Sequence, residues 1–213
     1  RANLIMAQLQ GANLVKAQLQ GASLGGVQLQ GANLDKAQLQ GAILIKAQLQ
    51  GAFLQNAKLQ NSDLFEANLQ GADLERANFD KANFSAAQLQ GANFKFASLQ
   101  GAKFLGTLLQ GANFQLAELQ FSFFSYGANL QGAYLGYAEL QGAFLSEVDL
   151  QSAYLGNAQL QGANLVEANL QGANLSYANL EGADLDGAQL THSDIVGSKF
   201  ITMKNQEREV LLN

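Results

Sequence analysis

The chain of 213 residues has no cysteine, no proline and no tryptophan, one histidine and two methionines. Without cysteine it can form no disulfide, no thiolate metal site and no dithiol redox motif, and its compartment cannot be read from redox chemistry. Charged residues make up only 14% of the chain, yet no apolar run approaches the roughly 18 residues that a membrane-spanning helix needs. No signal peptide is visible. With so few residue types in use, the core must be built from Ala, Leu and Phe.

Those residues recur with a period of five. From Leu4 to Phe200 a large apolar residue returns at every fifth position, forty times with one break in phase. It is Leu 32 times, Phe at Phe79, Phe84, Phe94, Phe104, Phe114, Phe124 and Phe200, and Ile at Ile195. Two residues before it (i−2) stands Ala in 33 of the 40 repeats. On an α-helix a five-residue step rotates about 140° and spreads the apolar residues over every face. On a flat strand an odd step sends successive leucines to opposite faces. Neither element fits. A backbone that turns a corner every five residues does, because each side then points one Leu or Phe inward and lets Ala pass close beside it. Positions i−1, i+1 and i+2 are variable, mostly polar and expected to face solvent.

A second period of ten overlies the first. At alternate corners i+1 is Gln in 16 of 19 cases and i+2 is Gly in 14 of 19. A type II β-turn has φ > 0 at its second central residue and selects Gly there. Type II corners are therefore expected at the Gln-Gly sites, and a turn with φ < 0 where Lys16, Lys36, Lys46, Glu66, Arg76 or Lys81 stands at i+2. Alternating corners require an even number of sides, and four is the smallest number that encloses a core. The phenylalanines agree, since Phe84, Phe104 and Phe124 are spaced by 20, as are Phe94 and Phe114. They should stack like on like along two opposite faces. Ten four-sided coils at about 4.8 Å each make a rod roughly 48 Å long.

The motifs Ala-Asn-Leu at Ala12, Ala32, Ala163 and Ala173, and Ala-Asp-Leu at Ala72 and Ala183, resemble those of the pentapeptide repeat proteins. The resemblance runs through all forty repeats. It implies an all-β fold, the family's right-handed quadrilateral β-helix, over residues 1–202. Residues 203–213 fall outside the repeat and read as a tail or a short capping helix, with Asn205 as N-cap and Val210, Leu211 and Leu212 as its apolar patch. The chain begins in mid-repeat, as a domain cut from something longer would. One extra residue near 125–127 shifts the phase, and a corner bulge near Gly127 is expected to absorb it.

Around that shift the outward positions turn aromatic: Phe121, Phe123, Tyr126, Tyr134, Tyr137, Phe144 and Tyr154. Four-sided winding puts Phe123 beside Phe144 on one face and Tyr134 beside Tyr154 on the opposite face, with Phe96, Leu116 and Tyr137 along one corner. Ile5, Ile43, Ile45, Phe65 and Leu105 extend the first of these faces towards the N-terminus. It is the preferred interface, for a protein partner or a second copy. The outward glutamines form columns whose amides are expected to bond to one another along the rod.

Chemistry finds little to work with. His192 stands alone at an outward corner, no cluster has metal-ligand spacing, and the serines lack a base. Asp184 and Asp186, with Glu181 and Asp194 nearby, read as a solvated acidic face. No catalytic, cofactor or metal site is expected, and no direct nucleic-acid binding for a chain of net charge −5. The reading is a non-catalytic scaffold, a rigid rod that presents flat faces to a protein partner or spaces the domains of a larger protein. The family resemblance also implies an alternative, a mimic of B-form DNA that binds DNA gyrase. Lys16, Lys36, Lys46 and Lys95 argue against it by interrupting any acidic track.

Overall fold

The computed structural model describes residues 2–125 and 127–200. Tyr126 and the capping helix considered for residues 203–213 lie outside them. The described chain winds as a four-sided coil. Each side pairs with the same side of the next coil through one parallel bridge, beginning Asn3↔Ser23, Gln8↔Gln28, Asn13↔Asn33 and Gln18↔Gln38. We name the four faces in that order. Partners are twenty residues apart up to Lys103↔Phe123 on the first face, counting a coil as twenty, and twenty-one apart from Leu108↔Asn129 to Phe123↔Phe144, after which the spacing of twenty resumes. The extra residue thus lengthens one turn of the coil and leaves the ladder unbroken on either side.

One repeat shows how the backbone is satisfied. The Asn33 N–H donates to Ala12 O of the preceding coil (2.9 Å), and the Leu34 and Lys36 N–H groups donate to Phe53 O (2.6 Å) and Gln55 O (2.9 Å) of the next. The Ala37 N–H closes the corner on Leu34 O (2.9 Å). The fifth N–H, on Asp35, donates to the Asn33 side-chain Oδ1 (3.0 Å). An exposed corner amide could use water, but a side-chain acceptor two residues back holds the corner in shape. The same contact recurs from Asn13 to Val15, Asp63 to Phe65, Asn93 to Lys95 and Asn174 to Ser176. Asn and Asp at i−1 are therefore corner clips as well as outward polar residues. Asn93 also donates to Asp73 of the preceding coil (3.0 Å). Asn93→Ala should cost about 1 kcal/mol through these two bonds, read as a shift in denaturant midpoint, whereas replacement of outward Gln115 should be near neutral.

Every described corner residue at i+2 has φ between 55° and 75°, and twenty of them are not glycine. The φ < 0 expected at non-glycine corners is wrong: Lys16, Lys36, Lys46 and Lys81 have φ of 57–58°, Glu66 55° and Arg76 57°. The reason lies in the ladder. The i+2 N–H must point along the axis to the i+1 carbonyl of the next coil, as Lys81 N does to Gln100 O (2.9 Å). That demand is the same at every corner whatever the side chain, so each non-glycine residue accepts a left-handed strain of roughly 1 kcal/mol or more. Glycine lowers that strain without setting the geometry. Accordingly Lys81→Gly should leave the melting temperature unchanged or raise it. Lys81→Val, β-branched at positive φ, should destabilise by about 1–2 kcal/mol in equilibrium denaturation.

The inward residues fill the lumen. From Leu24 to Leu175 the central residue of each repeat is at most 1% exposed, and the alanines beside them from Ala22 to Ala178 likewise. Phe84, Phe104 and Phe124 stack in one column, with centroids 5.0 and 4.5 Å apart and rings within 4° of parallel. Phe94 and Phe114 stack opposite them at 4.7 Å, and the two columns meet edge to face. Stacking like on like, inferred from the spacing of twenty, is what the rings do.

The glutamine columns differ from expectation. Only Gln70 to Gln90 (3.3 Å) and Gln131 to Gln151 (3.4 Å) bond corner to corner along the axis. At five corners the amide turns back onto the i−1 side chain of its own repeat, as Gln20 does to Gln18 and Gln30 to Gln28 (both 2.9 Å). At others it reaches a next-coil carboxylate or amide, as Gln100 does to Glu118 (3.1 Å). A corner Gln has a closer acceptor two residues back than 4.8 Å away along the rod.

Candidate protein-interaction surface

The four faces present different chemistry because the outward residues at i−1, i+1 and i+2 are free to vary. On the first face Phe123 and Phe144 stack at 4.7 Å with rings 2° from parallel, and remain 37% and 41% exposed. Phe121 stands on the corner that leads into this face, its ring lying over Gly142 of the next coil. It is the most exposed phenylalanine, at 63%. Phe65 and Leu105 lie on the corner that leaves the face, in line with Ile5 and Ile45. The third face, opposite, pairs Tyr134 with Tyr154, and the Tyr154 ring lies against the backbones of Gly136 and Gly156. Tyr137 stands on the corner leaving that face, in one column with Phe96 and Leu116. Arg76 covers the Phe96 ring at 4.7 Å in a cation–π contact. The aromatic residues thus divide between two opposite faces. Phe121, Phe123, Phe144, Phe65 and Leu105 belong to one surface, and Tyr134, Tyr137 and Tyr154 to another.

Three features escaped the sequence reading. Phe53 on the third face is 47% exposed, interrupting a side read as polar. Along the edge of the first face, where it turns into the second, Gly25 and Gly26 leave a notch of about 590 Å³ between Ile5 and Met6 on one side and Ile43, Ile45 and Lys46 on the other, bounded by Ser23 of the first face and by Gln28 and Gln48 of the second. The Met6 side chain leans over Gly26, its sulfur filling the space where a Cβ would stand. Gly25-Gly26 is the only pair of adjacent glycines in the chain, and that was the available signal. A smaller depression of about 210 Å³ is lined by Lys103, Leu105, Phe123 and Ser125 on the first face.

The third feature is charge. Up to Lys103 the chain carries nine basic and six acidic residues, and from there to Lys199 nine carboxylates and no Lys or Arg. The lysines that interrupt the acidic track do so only in the first half of the rod. Ion pairs are local: Lys36 with Asp35 (2.9 Å), Lys46 with Glu66 (3.3 Å) and Arg76 with Glu75. Exposed pairs of this kind contribute little to stability. The hydrogen bond from Lys36 holds the Asp35 carboxyl below its usual range, helped by Asn56 and opposed by partial desolvation. The Val196 N–H, then Ser176, do the same for Asp194.

Asp186 N–H donates to the Asp184 carboxylate (3.2 Å), so that pair is a corner clip like the asparagines. His192 is an exposed corner residue with φ 60°. Among the described residues no group of three or more His, Cys, Asp or Glu side chains is placed to hold a metal ion, and no helix is long and apolar enough to cross a membrane.

Comparison with known proteins agrees with this architecture. No curated protein sequence matches the chain. Among solved structures it is similar to HetL, a pentapeptide repeat protein involved in heterocyst differentiation regulation from the cyanobacterium Nostoc sp. The two share 34% identity over 92% of this chain and 89% of HetL, with a TM-score of 0.55. A pentapeptide repeat protein of the Arabidopsis thaliana thylakoid lumen is 33% identical over 48% of this chain and 71% of its own, with a TM-score of 0.47. The fold is the right-handed quadrilateral β-helix of these proteins. A family model described as "Pentapeptide repeats (8 copies)" matches residues 1–27, 22–61, 57–95, 92–125, 128–165 and 163–200, and the chain belongs to the pentapeptide repeat family.

Proposed function

We propose that the protein is a non-catalytic scaffold, a stiff rod whose working surface is the first face, where it binds protein. One observation carries the reading: a row of apolar side chains is left outside a lumen that is already full. Ile5, Ile43, Phe65, Phe123 and Phe144 are all more than a third exposed and share one face and its edge, in two groups with Asp63, Asn83 and Lys103 between them, whereas the second face is lined mainly with Gln and Asn. Exposed apolar surface of this length, rimmed by polar residues, is characteristic of contact sites. Among the described residues the lumen is filled by Leu, Phe and Ala, so recognition falls to the outer faces. HetL is involved in regulating differentiation, a role that a protein-binding rod can fill without chemistry.

The reading is tested with a photo-crosslinking amino acid placed at Phe65 on the edge of the first face, or at Asn78 on the fourth, in cells of the source organism. Covalent adducts to one or a few protein species at position 65, and none at 78, are expected. Equal labelling at both positions, or none at either, would overturn it.

The DNA-mimic reading is favoured by one observation, the run of carboxylates without cations after Lys103. Its apolar first face does not resemble a phosphate-lined groove. The scaffold reading predicts that the purified protein leaves DNA gyrase supercoiling unaffected; inhibition at micromolar concentration would favour the mimic.

A further inference from the structure

We infer that the occupant of the first face is a second copy of this chain, packed face to face and antiparallel; this deepens the scaffold reading and rests on it. Coils are counted from the one that contains Asn3. The notch at Gly25-Gly26 opens on the edge of this face in the second coil, with Ser23 and Ile43 as its first-face wall, and the Phe123–Phe144 ridge lies between the seventh and eighth. Ile43 and Ile45 project from the third coil, and the depression beside Leu105 and Phe123 lies between the sixth and seventh. A two-fold axis that sets ridge against notch crosses the rod between the fourth and fifth coils. An axis that sets the isoleucines against the depression crosses at the same height. One operator therefore satisfies two projection-and-recess pairs, each used twice, as an isologous interface requires.

The axis lies across the rod in the plane of the interface, so the edge that carries Phe65 and Leu105 meets the same edge of the second copy. Charge selects the antiparallel arrangement over the parallel one. On this face and its corners the first half is balanced, Lys46, Lys81 and Lys103 against Asp63, Glu66 and Asp80, while the second half carries Glu147, Glu167, Glu181, Asp184 and Asp186 and no cation; the antiparallel stagger leaves the ninth and tenth coils, with four of those five carboxylates, beyond the end of the second copy. It also places Lys103 of one copy opposite Asp63 and Glu66 of the second. Parallel packing would oppose acidic half to acidic half.

Overlap of some eight coils, at about 4.8 Å each along a face about 10 Å wide plus its edge side chains, buries on the order of 1,000 Å² in total, the lower limit for a specific interface. Micromolar association is expected.

Sedimentation equilibrium from about 1 to 100 µM is the first test. The mass should rise towards twice that of the monomer, and a Phe123→Ser, Phe144→Ser variant should stay monomeric. Phe65→Lys, on the exposed edge, is a second disrupting variant should the serine pair fail to fold. Orientation is read from single cysteines in a chain that has none of its own, linked with a bis-maleimide. Ser85→Cys, in the fifth coil near the axis, should cross-link to itself, and Ser23→Cys should not. Ser23→Cys mixed with Ser146→Cys should cross-link as a heterodimer. Equal self-linking of Ser23→Cys, Ser85→Cys and Ser146→Cys would mean parallel packing and would overturn the inference. A monomer at 100 µM would overturn it too, while adducts at position 65 to a foreign protein would leave the scaffold reading standing.

Discussion

Leu99→Lys is expected to abolish the cooperative melt of the central coils, while Gln100→Lys, one residue further, should shift it by no more than a degree or two. Leu99 is fully buried, and the lumen around it is lined by Leu, Phe and Ala with no buried carboxylate to pair with an ammonium group. A charge placed there must lose its proton or draw in water, at a cost of several kcal/mol against a total stability of roughly 5–15 kcal/mol. The damage should extend beyond one coil. Each coil is held only by its two neighbours, so a broken coil divides the rod into two shorter stacks. Gln100 is exposed and already reaches Glu118; a lysine there keeps a carboxylate partner. Thermal melts followed by circular dichroism, with limited proteolysis to locate the break, separate the two variants. An unchanged melt for Leu99→Lys would mean that the inward assignment is wrong.

Much of the architecture was legible in the five-residue period, because that period has only one satisfactory folding. The inward alternation of Ala with Leu or Phe, and the stacking of Phe84 on Phe104 on Phe124, both follow from spacing alone. The corners did not. Alternation of Gln-Gly with Lys or Glu suggested two turn geometries, yet Lys81 and Gly101 share one, because the axial hydrogen bond imposes it. Four sides was thus the right number, supported by a premise about corners that does not hold. The phenylalanine spacing was the sounder support. The Asn clips were missed for a similar reason. An outward Asn looks merely polar until its neighbour's N–H is counted and found to lack a backbone partner.

The candidate surface was only half legible. Side-chain identity and phase placed Phe123 against Phe144, and Phe65 with Leu105 on the edge of the same face. The recess at Gly25-Gly26 was hidden because it is made by missing atoms, and a reading that weighs large residues passes over small ones. The charge asymmetry was in plain view but was averaged away by counting net charge over the whole chain. Position along the rod is what matters once the coil fixes which residues are neighbours.

Phe104→Ala is expected to cost more than any other truncation in the lumen, about 4–5 kcal/mol or roughly 10–15 °C in melting temperature. Phe104 stacks on Phe84 at 5.0 Å and on Phe124 at 4.5 Å, and meets Phe94 and Phe114 edge to face at 6.3 and 6.0 Å. Removing its ring opens a ring-sized void and strips contacts from four others, each pair worth about 0.5–1.5 kcal/mol beyond area. Neighbouring coils cannot collapse into the void, because the 4.8 Å ladder fixes their separation.

Phe104→Leu supplies the residue that most other repeats use at this position, so inward polarity is kept and only shape is lost. It should cost about 1–2 kcal/mol, more than conversion to Leu of Phe79, which tilts against its neighbours at 5.0 and 6.0 Å without a parallel stack. Differential scanning calorimetry on the three variants decides the point. The order Ala far below Leu at 104, with Phe79→Leu mildest, would show that the run from Phe79 to Phe124 acts as an aromatic stack. Equal losses at 79 and 104 would mean that the lumen is sensitive to volume alone, and that the parallel rings are a consequence of the coil spacing with no stabilising part of their own.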